Sequence, residues 1–119
     1  MLNKVIFILF TLLISVSVNA KDTDISPLFI VHFETGVNWN KSLQPQEQAQ
    51  FREHSINLNR LRKEKVIVFG ARYGDFGVII IKAESLNEAK SIIELDPGIQ
   101  SGIFNFRIKS LNVFYPWEV

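Results

Sequence analysis

Cysteine is missing altogether from this 119-residue chain. Its absence excludes a disulfide framework, thiolate-ligated zinc or iron–sulfur centres, a lipid-modified N-terminal cysteine and a thiol nucleophile. An excess of one charge sign is missing too: 13 Lys and Arg face 12 Asp and Glu, a formal net charge of +1. With the signs mixed along the chain, no strong basic field exists to hold nucleic acid. The chain is also too short for a second core, and it shows no internal repeat and no low-complexity segment. What it does have, 47% hydrophobic and 12% aromatic residues, rules out disorder and suffices for one folded domain.

The one long apolar run lies at the N-terminus. Met1 to Lys4 is a short basic start, Val5 to Val18 is apolar apart from Thr11, Ser15 and Ser17, and Val18-Asn19-Ala20 places small or medium apolar residues at the −3 and −1 positions of a cleavage site. This is a signal-peptide pattern, and the apolar stretch falls short of the ~20 residues of a spanning helix. The expectation is a signal peptide over residues 1–20, a polar leader over 21–27, and an exported, periplasmic or secreted, domain over 28–119 that is free of the membrane after cleavage. Removing residues 1–20 leaves 99, with 12 charges of each sign. A domain of that size without disulfides is expected to gain stability by self-association.

Leu28-Phe29-Ile30-Val31-His32-Phe33-Glu34 reads as a strand, and Thr35 to Pro45, with Gly36, Asn38, Asn40 and Trp39, as a loop. Gln46 to Lys65 has helix composition, with Phe51, His54, Leu58 and Leu61 on one stripe; Glu47 falls in line with it and Ile56 on the wet side. Val66 to Phe69 and Val78 to Ile81 are short apolar strands separated by Gly70 to Gly77, with Gly74-Asp75 as the turn signal. Ser85-Leu86-Asn87-Glu88 matches a capping box for a second helix with Leu86, Ala89, Ile92 and Ile93 inward. Asp96 is placed to cap a short turn begun by Pro97 and closed by Gly102. A last strand runs from Ile103 to Tyr115, with a change of phase after Ser110 that suggests a bulge or bend. The order is βαββαβ, a ferredoxin-like α+β fold with two helices on one face of a four-stranded antiparallel sheet. Because the strands are largely apolar on both sides, a second copy packed face to face is expected over the other face, with the tail from Leu111 helping.

The segment Leu28 to Trp117 resembles the YCII-related (YciI-like) family. The likeness is carried by Gly36 and Trp39 after the first strand, by His54 with Leu58 and Leu61 after it, and by Phe69-Gly70-Ala71. It continues in Ser85-Leu86-Asn87-Glu88-Ala89 and in Asp96-Pro97 followed by Gly102-Ile103-Phe104. The resemblance implies a dimeric α/β-barrel-type assembly of ferredoxin-like domains with a His–Asp pair, which His54 and Asp96 match. The chain departs from the family in having Gly98 where an aromatic or other apolar residue follows Asp-Pro, which implies a missing pocket wall. Gly70-Ala71 replaces Gly-Pro, and Lys65 stands where a glycine often closes the helix.

Five residues are site candidates, each with a plainer reading beside it. His54 and Asp96 are the candidate catalytic pair. His54 faces the sheet from the apolar stripe, where a core histidine bonded to backbone is the plainer reading. Asp96 is already explained as an N-cap, yet one oxygen can cap while the other orients His54. His32, Trp39 and Gly70 are candidates for ligand binding. His32 could line the same pocket or simply end its strand, and Trp39 could be a lid or a packing residue. Arg72 and Tyr73, near the hairpin tip, could hold an anion or merely be solvated. No ligand spacing supports a metal site, no cofactor is implied, and no Ser stands in a recognisable nucleophile setting, so proton transfer is the chemistry these residues suit. The reading is a small cofactor-free lyase or isomerase acting on a small organic molecule. The alternative is a non-catalytic ligand-binding or stress-related interaction protein.

Overall fold

The computed structural model describes residues 26–117. The expected signal peptide, and the leader up to residue 25, lie outside them. Within them the order is β1 (Leu28–Thr35), a 3-10 turn (Pro45–Glu47), α1 (Phe51–Lys63), β2 (Ile67–Tyr73), β3 (Phe76–Lys82), α2 (Leu86–Glu94), the one-turn α3 (Pro97–Gln100) and β4 (Phe104–Leu111). The sheet order is β2-β3-β1-β4 with every neighbour antiparallel. This is an α+β fold compatible with the ferredoxin-like arrangement.

Alternation along β1 sets the two faces. Phe29, Val31 and Phe33 are buried and point towards the helices, while Leu28, Ile30 and His32 stand half-buried on the other side. Ile79 and Ile81 of β3, Leu61 of α1 and Ala89 and Ile93 of α2 complete one core, with Leu58, Ile92, Phe104, Phe106 and Ile108 packed on it. Leu86, expected inward, is 38% exposed, because it opens the first turn of α2 beyond the sheet.

Four local readings are corrected. First, α1 starts at Phe51 rather than Gln46: Gln50 adopts φ 65°, a left-handed conformation that separates the helix from the 3-10 turn before it. Glu47 therefore sits on the turn, where its carboxylate accepts from Gln44 N–H at 2.9 Å. Second, β2 continues through Gly70 to Tyr73, so the hairpin is tight. Tyr73 pairs with Phe76 across Gly74-Asp75, and Gly74 alone takes a positive φ, 59°, as the first centre of a two-residue turn. Third, the bulge lies in β2 between Ile67 and Phe69 and not in β4. Fourth, β4 keeps unbroken register with β1 and ends at Leu111, so the phase change after Ser110 marks the end of pairing.

The caps follow the sequence more closely. Ser85 Oγ accepts from Glu88 N–H at 3.1 Å, and Glu88 answers by accepting from Glu84 N–H, one residue before the expected partner. At the end of α1, Lys65 N–H donates to Arg62 O and Val66 N–H to Leu61 O, a complete Schellman closure with Lys65 at φ 68°. A lysine thus does the work that glycine does more cheaply. The loop after β1 is fastened by Gln48, 5% exposed, whose amide accepts from Asn40 N–H and donates to the carbonyls of Asn40 and Leu43.

Candidate functional site

The helix stripe and the Asp-Pro cap meet beneath the sheet's helical face. α1 carries His54 inward, 8% exposed, and the turn into α3 carries Asp96 to it, 1% exposed. His54 Nδ1 lies 2.6 Å from Asp96 Oδ2. The same oxygen accepts from Gly98 N–H at 2.9 Å, and Oδ1 accepts from Asn57 Nδ2 at 2.8 Å. Asp96 therefore caps α3 and holds His54 at once, as its two oxygens permit. Three donors replace the water that a buried carboxylate loses. Since the carboxylate receives two unambiguous donors, the remaining contact is read as Nδ1–H donating to Oδ2. That assigns the neutral ring one tautomer, with the lone pair on Nε2.

Aromatic rings surround the imidazole. Phe104 lies 4.8 Å away between ring centroids, Phe33 5.8 Å edge-on and Phe51 6.0 Å. A pocket of about 250 Å³ opens beside them, lined by these rings and His54, with Leu58 and Ile79 adding apolar wall. Arg72 brings a cation to it, and Glu34 and Asp75 bring carboxylates. Ser55 also lines the pocket but shares no hydrogen bond with His54, so the geometry offers no Ser–His nucleophile. With Nδ1 committed to Asp96, Nε2 is the nitrogen left for a molecule in the pocket. The arrangement can accept a proton at Nε2, stabilise the resulting imidazolium through Asp96, and return the proton.

The other candidates fall elsewhere. His32 does not line this pocket: it projects from the opposite face of the sheet, where Tyr73 hydroxyl lies 2.6 Å from its Nδ1 and Phe76 packs at 4.8 Å. The period of two along β1 makes this unavoidable, since His32 and the buried Phe33 must point opposite ways. Trp39 is absent from the lining and stacks behind Phe104 at 5.6 Å. Gly70 lies in a neighbouring groove of about 320 Å³ between α1 and β2, which shares Leu58 and Ile79 with the His54 pocket. Gly98 leaves no missing wall: a Cβ there would stand 2.9 Å from both Asp96 Oδ2 and His54 Nδ1 and 3.0 Å from Phe104. Sequence reasoning missed Asn57, although its position three residues after His54 places it on the same side of α1. Among the described residues no three His, Asp or Glu side chains gather as a metal-holding group, and no helix is long and apolar enough to cross a membrane.

Fold and site together define a small α+β domain with a buried His–Asp pair beside a ligand-sized pocket. The family model for the YCII-related domain matches residues 32–112, and the chain belongs to that family. The match runs from within β1 to just past β4 and includes His54 and Asp96. No curated protein matches the chain.

Proposed function

We propose that this protein transfers a proton on a small organic molecule, as a cofactor-free lyase or isomerase, with His54 as acid and base and Asp96 as its orienting partner. The carrying observation is the 2.6 Å contact between His54 Nδ1 and Asp96 Oδ2 at the wall of a pocket of mixed aromatic and charged lining. A volume of about 250 Å³ suits a molecule below drug size. Arg72 offers one cation for a polar or anionic group, set against the carboxylates of Glu34 and Asp75 in the same lining, so the charged residues do not fix the sign of the molecule's charge. Gly98, where the resemblance implied a missing pocket wall, is tightly surrounded by Asp96, His54 and Phe104 and does not count against chemistry at this site. The test is a turnover screen of lactones and halogenated acids with wild type and His54→Ala. Activity in the wild type that the variant loses supports the reading. Equal turnover by both removes His54 from the mechanism, and saturable binding without turnover establishes the non-catalytic alternative.

The reading includes a homodimer and export. Ile30, Val78 and Ile80 share the sheet face away from the helices with Phe69, Tyr73 and Phe76, which are 44%, 52% and 37% exposed. In the tail, Phe114, Tyr115 and Trp117 are about four-fifths exposed, at 79%, 86% and 83%. Packing two such faces together removes this apolar surface from water, as the fold needs in the absence of disulfides. A dimer mass for residues 21–119 at micromolar concentration supports this part, and a monomer mass rejects it. Export is tested by the N-terminal residue of the protein recovered outside the cytoplasm, expected to be Lys21.

A further inference from the structure

Of the three hydrogen bonds that Asp96 accepts, only one comes from His54. Gly98 N–H fixes Oδ2 from the backbone, but Oδ1 is held by one side chain alone, Asn57 at 2.8 Å. Asn57 follows His54 by three residues on α1, so both reach the same carboxylate from one helical side. The amide oxygen of Asn57 has its own partner. Arg60, three residues further on, donates from one guanidinium nitrogen to Asn57 Oδ1 at 2.8 Å, and from the other to Glu64 at 3.0 and 3.2 Å. A guanidinium can only donate and a carboxylate can only accept. A primary amide between them satisfies both in a single orientation, with nitrogen towards Asp96 and oxygen towards Arg60. A polar seam of His54, Asn57, Arg60 and Glu64 thus runs along α1 from the buried pair to solvent.

We infer that Asn57, oriented by Arg60, is a positioning residue for the His54–Asp96 pair, fixing the carboxylate plane so that Oδ2 receives the Nδ1 proton. Its functional meaning rests on the proton-transfer reading above; its test does not. With Oδ1 bare, the carboxylate plane is held at Oδ2 alone, by Gly98 N–H and His54 itself, and the alignment of the acceptor with Nδ1–H loosens. An unpartnered oxygen on a carboxylate that is 1% exposed also favours a rearrangement that finds it a new donor.

The experiment is nitrogen-15 NMR of the histidine rings in the full chain. In the wild type His54 is expected in the Nδ1–H form with a proton that exchanges slowly with water. Asn57→Leu keeps the branching at Cγ, with some added bulk at a half-buried position, and removes the donor. It is expected to speed exchange of that proton about tenfold, the factor that loss of one buried hydrogen bond corresponds to. Arg60→Met is expected to change the ring in the same direction by less, and Arg60→Lys, which keeps a donor, to restore the wild-type spectrum. Asp96→Ser keeps an oxygen to cap Gly98 but is too short to reach His54, so it reports what loss of the pair looks like. If Asn57→Leu folds and leaves the His54 ring unchanged while Asp96→Ser alters it, the positioning role is overturned and the proton-transfer reading stands. If Asp96→Ser also leaves the ring unchanged, both are overturned. Should Asn57→Leu fail to fold, the exposed Arg60 pair decides: a difference between Met and Lys supports the role, and identical spectra overturn it.

Discussion

Replacing Gly98 by alanine sets two effects against each other. Helix propensity alone favours alanine over glycine by up to about 1 kcal/mol. Gly98 lies in α3, so a propensity argument makes the variant more stable. The packing argument opposes it. The new methyl group would meet Asp96 Oδ2 and His54 Nδ1 at 2.9 Å and Phe104 Cδ2 at 3.0 Å. None of these is the loose end of a flexible chain. Asp96 is held by three hydrogen bonds, and Phe104 is wedged among Trp39, Phe33 and Phe51. Overpacking of this kind costs about 1–3 kcal/mol. The net expectation is a loss of ~1–2 kcal/mol, which in a domain of this size lowers Tm by ~4–8 °C for each kcal/mol. Urea and thermal unfolding of wild type and Gly98→Ala measure it. An alanine variant that is equally or more stable refutes the packing argument and with it the tightness assigned to the pair.

Other variants test other parts of the structure. Lys65→Gly relieves a left-handed residue at the exposed end of α1 and is expected to raise stability by ~0.5–1 kcal/mol in urea unfolding; a decrease contradicts the closure described. Gln48→Leu strips Asn40 and Leu43 of their partners in a buried clamp, for a loss of about 1–3 kcal/mol, and an unchanged midpoint counts against it. Ser85→Ala removes the α2 cap and costs ~1 kcal/mol by the same assay, whereas Ser91→Ala, on an exposed turn of the same helix, is expected to stay within ~0.5 kcal/mol.

Wherever neighbouring residues decide the conformation, the sequence was readable. The stripe of Phe51, His54, Leu58 and Leu61, the serine cap and the Asp-Pro turn depend on spacings of three or four residues, and all three stand in the structure. The start of α1 was not readable, because it depends on a non-glycine residue, Gln50, adopting a left-handed conformation that composition disfavours. The length of β2 was hidden because Gly70 and Ala71 look like loop residues until β3 supplies partners for them. At the site, His54 and Asp96 were found by family likeness and by the cap signature. Asn57 was not, and Gly98 was noticed but read as an open position, since the roles of both exist only once residues some forty positions apart come together. The placement of His32 was latent in the alternation of β1 itself; reading that alternation against the burial of Phe33 separates it from His54.

The central claim is that Asp96 holds the His54 ring so that Nε2 carries the lone pair offered to the pocket. Only two histidines are present, so a His32→Gln chain gives an unambiguous nitrogen-15 ring spectrum for the other. Neutral His54 is expected to be held in the Nδ1–H form with Nε2 unprotonated. A ring protonated at Nε2, or one exchanging freely between the two forms, would contradict it.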